Sequence, residues 1–581
     1  MTINPFIKSF CIDQQTSLLE LLLLQNEAAK NGHLTGISLV VNEDFKLVGT
    51  ITDGDIRRAT LKYNTFDVEA HKIMNADPVY FPEHFSYKQI LEALPYELQK
   101  RGRKSDKFLG KVVLVNEHLQ PARIIEYHQL WEQRVANHRH IVVVGMGYVG
   151  FTLALVLADR SFRTTGFDIS EEKINALKSG DSYIHERGLT ELFERQLFRN
   201  FHPSLQLPDD GDVFIVSVGT PVVMKDGDTK PTPDLTYLEA ASRMIGRKLR
   251  RGNLVILRST VPVGTTRNTV LRILEEESGL QGGTDFHLSF APERTAEGKA
   301  IRELRELPQI IGGLNEESTE ATAALFRDLT PTIIRVKSLE QAEIAKLLNN
   351  CFRDLIFSFA NQMTTIANHF NVDIVETIKA ANQGYPRDPI PLPSPGVGGA
   401  CLTKDPYIFA SVAEEIGIPL TLPDFGRQIN ENMLPFVANR VLEQLRKVGK
   451  TPADCHIMVC GLAFKGEPET ADLRNSTSVE IAQLLMPQVK GIYGHDPVGD
   501  IAEIKSLGII PVDFEAGLKQ ADAVLFLNNH RSYEKTDLAD MIGLLRSPAI
   551  IFDGWKLFDT DDVLNSGPCI YMGLSFTASS L

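Results

Sequence analysis

The segment PSPGVGGACLTKDPY, residues 393–407, sets Gly396, Gly398 and Gly399 and two prolines ahead of one cysteine, and Lys404 and Asp405 follow within four residues. Glycines let backbone amides crowd a small ligand, which makes Gly398 a candidate ligand contact. A cysteine beside a lysine can have its pKa lowered toward the thiolate, the nucleophilic form. The spacing therefore predicts that Cys401 does covalent chemistry. The other cysteines, Cys11, Cys351, Cys455, Cys460 and Cys569, show no C-x-x-C pairing, so neither a metal site nor a disulfide framework is expected.

A second constellation lies in HIVVVGMGYVG, where an apolar run ends on G-x-G-x-x-G and a helical pattern begins. Gly145 permits the tight turn, Gly147 lets backbone approach a pyrophosphate, and Gly150 lets helix pack on strand. The helix N-terminus then faces the phosphates. The next apolar run, RTTGFDIS, ends on Asp168, at the separation where a carboxylate meets the adenosine ribose and repels an NADP phosphate, so NAD is the expected cofactor. Tyr148 and Val149 inside the turn, and Lys173 beyond Asp168, are counted with the cofactor contacts. Ile141–Ala158 is apolar enough to imitate a membrane helix, but its glycines favour strand, turn and helix.

The elements that must hold these residues imply several domains, since 581 residues exceed one hydrophobic core. Apolar strands at 213–218 and 254–257 run into SVGTP and RSTVPVG, which makes Thr220 and Thr260 candidate contacts at the carboxyl ends of a parallel sheet. A helical pattern without Pro or Gly covers 341–371; it reads as one long bridging or dimerising helix, or two shorter ones. A second strand and glycine turn, CHIMVCG and GLAFKG, then a strand ending on Asp496 and another at 523–527, echo the first nucleotide fold. Two such folds imply two nucleotide-bearing ligands, NAD and a substrate with its own nucleotide.

The net charge of −14 argues against DNA or RNA as a partner. The first residues, MTINPFIKSFCIDQQ, lack the features of a secretory signal, so a cytoplasmic protein is expected. Residues 1–137 carry a weak repeat: Val41-Asn42-Glu43 and Val115-Asn116-Glu117 each close an apolar run, 74 residues apart. The continuation GTITDGDIRRA resembles a CBS domain, a module that senses adenine nucleotides in tandem pairs. Thr52 and Asp55 fall on that family's ribose-binding T-x-x-D, whereas the second copy has Glu126 and Gln129 there. A regulatory nucleotide at Thr52 and Asp55, and a purely structural pair, both remain open.

The cysteine segment resembles the G-x-G-G-x-C-x-x-K-D of the UDP-glucose and GDP-mannose dehydrogenase superfamily. The resemblance extends through GMGYVG, VSVGTP, RSTVPVGTT, APERTAEGKA, AEIAKLLNN and GLAFKGEPETADLRNS, over residues 140 to about 560. It implies an α/β chain with two Rossmann-like domains joined by a long central helix, preceded by an α+β CBS pair. The corresponding boundaries are 1–137, 138–335, 336–450 and 451–581.

The activity implied is a four-electron oxidation of the C6 alcohol of a UDP-sugar to the uronate, using two NAD, for surface polysaccharide precursors. Cys401 adds to the aldehyde, and the thiohemiacetal is oxidised to a thioester that water hydrolyses. Lys346 and Asn350, four residues apart on one helix face, match the family's oxyanion donors. Glu293 and Glu297 match its glutamate pair for proton transfer and water activation, Asp405 its water-positioning aspartate, and Thr260 joins the catalytic set. Lys404 resembles a cofactor-contacting lysine, and Lys465 and Arg474 resemble residues binding the two nucleotides. Arg387, in GYPR, resembles an arginine reaching the sugar nucleotide across a homodimer interface.

GYPR and the segment's flanks are similar to the UDP-N-acetylhexosamine branch, so UDP-N-acetylglucosamine or UDP-N-acetylmannosamine is the expected substrate. Ala400, where that branch often has histidine, and Lys404 keep UDP-glucose as the alternative. A nucleotide-sensing regulator on a retained dehydrogenase scaffold, and a two-electron β-hydroxyacid dehydrogenase, are rival readings.

Overall fold

A computed structural model describes residues 5–30, 36–85, 87–101, 111–126, 139–224 and 230–581. They divide into two compact units, Met1–His138 with Arg160–Phe162, and Arg139–Asp159 with Arg163–Leu581.

In the first unit the repeat is structural. Strand Cys11–Asp13 lies parallel to Ile37–Val41, which pairs antiparallel with Leu47–Thr52. Tyr80–Pro82, Lys111–Val115 and Pro121–Glu126 repeat that arrangement, the last two strands 74 residues after their counterparts and the first 69. Even the irregularities recur: the register shifts at Val40/Val41 and at Leu114/Val115, and Phe45 and Leu119 both take positive φ in the connecting turn. Ile37, Leu39, Val113 and Val115 share one core cluster, so each copy buries its strands partly against the other.

The second unit holds two large sheets, a two-stranded ribbon of Val222–Val223 with Thr232–Pro233, and the helices that pack with them. The first sheet runs, edge to edge, Ile333–Val336, Gln309–Gly313, His287–Phe290, Leu254–Leu257, Val213–Val216, His140–Val144, Arg163–Phe167, Phe201–Ser204. All its pairs are parallel except His287–Phe290 with Gln309–Gly313. A parallel sheet is covered on both faces, which is why HIVVV is buried throughout. The helix Tyr148–Asp159 is buried from Gly150 to Ala158, so the apolar run is interior. Among the described residues no helix is long and apolar enough to cross a membrane. Strand order reverses between His140–Val144 and Val213–Val216, where such sheets bind ligands.

The bridging element is one unbroken helix of 31 residues, Leu339–His369, capped by the Ser338 hydroxyl accepting from Gln341 N. Its partner, Thr421–Lys447, spans 27 residues despite Pro435 and is not anticipated from the sequence. Between them Asp405–Glu415 forms a shorter helix with Pro406 in its first turn.

The second sheet runs Ile510–Pro511, Gly491–His495, His456–Cys460, Ala523–Phe526, Ala549–Asp553, Cys569–Met572, Thr577–Ser579, parallel except for the last pair. Its first six strands repeat the order of the first sheet. The glycine turn is not followed directly by a helix, however: residues 461–476 are loop, and the next helix begins at Thr477.

Candidate active site

The turn after His140–Val144 has the backbone that a dinucleotide needs. Gly145 has φ +98, and a Cβ there would press within 2.8 Å of Ser217 O; a Cβ on Gly150 would collide with Gly145 O. Gly147 has nothing within 4 Å of such a Cβ, leaving its backbone open to a pyrophosphate at the start of a 12-residue helix. Buried Ser217 Oγ beside the turn has no hydrogen-bond partner. Asp168 closes the next strand and accepts from Met146 N at 2.8 Å and Ser170 N at 2.9 Å, with Lys173 Nζ 3.7 Å away. Thr220 Oγ1 donates to Thr260 O at 2.6 Å, joining the ends of two neighbouring strands. These residues fit an NAD molecule: an exposed amide turn, a helix start and an acidic strand end. Val149 lies in the first turn of that helix.

Cys401 lies four residues before the Asp405 helix start, and its carbonyl accepts from Lys404 N at 3.2 Å and Asp405 N at 2.9 Å. Its side chain is accessible to solvent. Even so, its thiol pKa lies above the usual value: the surrounding protein and Asp405 raise it, and Lys346 and Lys404 offset them only in part. Lys404 does draw Cys401 toward the thiolate, as expected, but burial and Asp405 outweigh it. One reason is that Lys404 is engaged elsewhere, its Nζ 3.1 Å from fully buried Asp405.

Asp405 also accepts from Asn350 Nδ2 at 2.5 Å, leaving the second amide hydrogen available. Lys346, one helical turn earlier, is buried. The helix is anchored to the RSTVPVGTT loop by Glu343, which accepts from Gly264 N at 2.6 Å and Thr266 N at 2.9 Å. The glycines before Cys401 also have a packing role. A Cβ on Gly398 would reach 2.5 Å from Asn475 O, and one on Gly399 2.8 Å from the Phe464 ring. Protein crowds these positions, so they let the loop seat against residues 464–477; Gly399 N donates to Asn475 O at 2.9 Å.

The two glutamates differ. Glu293 is paired with buried Arg258 and accepts from Thr295 N at 2.5 Å. Burial alone would raise its pKa, but Arg258, that N–H and Lys346 outweigh it and hold the carboxyl below its ordinary range. Glu297 is pushed up to about 7 by burial and Asp472, against Lys465 and Arg474. All three of those charges come from the 461–476 loop. Lys465 Nζ donates to Glu297 O at 2.8 Å, Thr470 Oγ1 lies 3.4 Å from Glu297 Oε2, and Arg474 is clamped to Asp472 at 2.6 Å. Tyr148 joins the cofactor turn to this seam, donating to Glu186, which accepts from Gly298 N at 2.7 Å.

The fold thus links Cys401, Lys346, Asn350, Lys404, Asp405, Glu293, Glu297, Lys465 and Arg474 into one cluster through hydrogen bonds and charge interactions. Arg387 is exposed, its guanidinium 5.8 Å from the Tyr385 ring centre, and makes no contact with that cluster. Thr52 and Asp55 lie in the first unit and engage each other: Asp55 accepts from Thr52 N at 2.8 Å and Thr52 Oγ1 at 2.7 Å, and pairs with Arg58 at 2.5 Å. Glu126 ends its strand, and Gln129 lies outside the described residues. Arg258, Glu186 and Glu343 were not foreseen. Two of them leave a sequence signal: Glu343 stands three residues before Lys346 on the same helix, and Arg258 heads the RSTVPVGTT motif.

Comparison with known proteins accounts for this arrangement. Residues 139–330, 340–432 and 458–560 match the NAD binding, central and UDP binding domains of the UDP-glucose/GDP-mannose dehydrogenase family, and residues 2–62 match the CBS domain. The UDP-N-acetyl-D-mannosamine dehydrogenase of Pyrococcus horikoshii is 34% identical over 71% of this chain and 94% of its own. The NDP-N-acetyl-D-galactosaminuronic acid dehydrogenase of Ralstonia nicotianae is 33% identical over 69% and 93%. Among solved structures, the Pyrococcus enzyme has a TM-score of 0.68 at 32% identity, covering 75% of this chain and 99% of its own. A UDP-glucose dehydrogenase from Pyrobaculum islandicum has 0.66 at 28%, covering 75% and 98%. With a cofactor turn, an accessible cysteine and a facing second sheet in place, the chain belongs to the UDP-glucose/GDP-mannose dehydrogenase family of NAD-dependent nucleotide-sugar dehydrogenases.

Proposed function

We propose that the protein oxidises the C6 alcohol of a UDP-N-acetylhexosamine to the uronate, with UDP-N-acetylmannosamine and UDP-N-acetylglucosamine ahead of UDP-glucose. The observation that carries this reading is the convergence of accessible Cys401 with Lys346, the Asn350–Asp405 pair and Glu297. Relatives named as UDP-N-acetyl-D-mannosamine dehydrogenases support the choice of sugar. NAD, when bound, takes up one hydride at each of two oxidations, hence two NAD per sugar.

The residues do the rest. Cys401 Sγ bonds to C6 of the aldehyde while its proton passes to the carbonyl oxygen, giving a thiohemiacetal. Lys346 and the free Asn350 amide hydrogen hold that oxygen as charge develops on it. Loss of the C6 hydride and the hydroxyl proton leaves a thioester. Water then adds to C6, the C–S bond breaks, and the thiol is restored with the carboxylate as product. Glu297 receives the proton of the attacking water, a task suited to a carboxyl titrating near neutrality. Asp405 acts through Asn350, keeping its amide turned to the cleft. Lys465 and Arg474 take the substrate's diphosphate.

Exposed Leu348, Phe352, Phe359 and Ile366 form an apolar stripe on the long helix, which supports a homodimer there with Arg387 reaching the partner's site. The CBS match supports a regulatory adenine nucleotide at Thr52 and Asp55; the test is calorimetry with ATP, ADP and AMP, where absence of any heat removes that role.

The main test supplies the protein with NAD and a panel of UDP-sugars and counts NADH per sugar consumed. Two are expected, and one would end the thioester route. Cys401→Ser should yield no uronate. Because Glu297 is neutral below about 7, thioester hydrolysis should rise with pH through that value, and Glu297→Gln should abolish this limb; an unchanged profile would move the base elsewhere.

A further inference from the structure

Lys346, Asn350 and Asp354 follow one another at four-residue intervals, on one face of the long helix. The first two belong to the proposed chemistry; Asp354 is buried below them. Asp354 Oδ1 accepts from Arg427 Nη1 at 2.9 Å and from Asn430 Nδ2 at 2.8 Å, both on the partner helix. The same guanidinium reaches the cysteine loop, Nη1 donating to Leu402 O at 3.2 Å and Nη2 to Val397 O at 3.0 Å. Its Nε stands 3.1 Å from Glu431, which accepts from Tyr407 OH at 2.8 Å on the helix begun by Asp405. Upstream, Asn361 holds Ser394 N at 2.9 Å and donates to Asn430 at 2.9 Å.

We propose that Arg427 is a positioning residue for the Cys401 nucleophile, fixing the carbonyls on either side of it against the helix that carries Lys346 and Asn350. The inference rests on the reading of Cys401 given above. Arg427 and Asp354 are 2% and 1% exposed, and a buried ion pair seldom gains stability over apolar packing of the same volume. A planar fork that meets one carboxylate and two loop carbonyls at once supplies geometry instead, which a lysine cannot reproduce. Asp354 contributes its charge: burial pushes its pKa up to about 6 against Arg427 and Asn430, so it is ionised at neutral pH.

The test compares Arg427→Lys with the parent by turnover on UDP-N-acetylmannosamine and UDP-N-acetylglucosamine, and by the rate at which iodoacetamide alkylates Cys401 across pH, resolved by peptide mass spectrometry. We expect kcat to fall about 10- to 100-fold, the scale of a 1 Å misplacement, with KM for NAD unchanged within about twofold. The pH profile of Cys401 alkylation should shift, which a purely structural role would not require. Glu431→Gln leaves both carbonyl bonds in place and should keep kcat within about threefold.

If Arg427→Lys does not fold, Asp354→Asn carries the test. It retains an acceptor for the guanidinium without the charge, and should lower kcat about three- to tenfold with the same change in alkylation. A folded variant with parental kcat and an unchanged alkylation profile overturns the proposal, as does a loss that tracks melting temperature alone or failure of both variants to fold. Full turnover by Cys401→Ser would instead overturn the nucleophile on which it rests.

Discussion

The two Rossmann-like sheets share a strand order yet end in different binding surfaces. In the first, the turn GMGYVG passes straight into a helix, and Asp168 accepts one N–H from that turn and one from its own loop. In the second, Asp496 occupies the same place after Gly491–His495 and accepts four: Leu462 N, Ala463 N, Val498 N and Gly499 N. It is saturated as a brace for the turn, so a ribose there would compete with backbone. Ala463 replaces the glycine that stays open at Gly147, and the sixteen-residue loop 461–476 stands where the helix would begin. The lesson is that strand order sets where a ligand lies, and the residues after the first strand set which part of it is held. The first turn suits a pyrophosphate approached by backbone. The second offers side chains, Lys465 and Arg474, and sends Thr470 and Lys465 across to Glu297.

That contrast can be broken in four places. Gly150→Ala drives a methyl into Gly145 O and should cost about 3 kcal/mol, the upper end for overpacking; a near-parental unfolding midpoint would deny the tight helix contact. Asp496→Asn replaces a carboxylate serving four donors and should lose about 2 kcal/mol by urea denaturation, with little change in NAD affinity. Gly147→Ala should leave the melting temperature within about 1 °C while weakening NAD about tenfold, near 1.4 kcal/mol, by calorimetry. Intact NAD binding in that variant would separate the open turn from the cofactor. Ala463→Gly should have the smallest effect, under about 1 kcal/mol of stability from backbone entropy, and no gain in affinity for either nucleotide. Tighter NAD binding would mean that Ala463 alone separates the second turn from the first.

Much of this is legible in the sequence. The glycine spacing of GMGYVG, the acidic end of the next strand and the uninterrupted helical pattern from 341 each express a local rule, and the fold keeps them. The repeat near residues 41 and 115 was visible through three matching residues and proves to extend to the turn conformations of Phe45 and Leu119. What could not be read depends on distant partners. The glycines before Cys401 look ligand-facing in sequence because crowding by Asn475 and Phe464 is invisible there. Lys404 looks like a thiolate-maker until Asp405 is seen to hold it. Arg427 gives no signal at all, lying in a helix whose Pro435 and mixed pattern hide its length.

The long helix also limits how this protein can change. Lys346, Asn350 and Asp354 are one turn apart, about 6 Å each at 1.5 Å per residue, so the helix works as a ruler with three marks. Inserting or deleting one residue between Lys346 and Asn350 would rotate both later marks by about 100° relative to Lys346, and between Asn350 and Asp354 it would turn Asp354 alone away from Arg427. Length variation is therefore tolerable beyond Asp354 or in the loops, where chain can be added without disturbing the marks. Between Lys346 and Asp354, substitution alone leaves the spacing of the three marks unchanged.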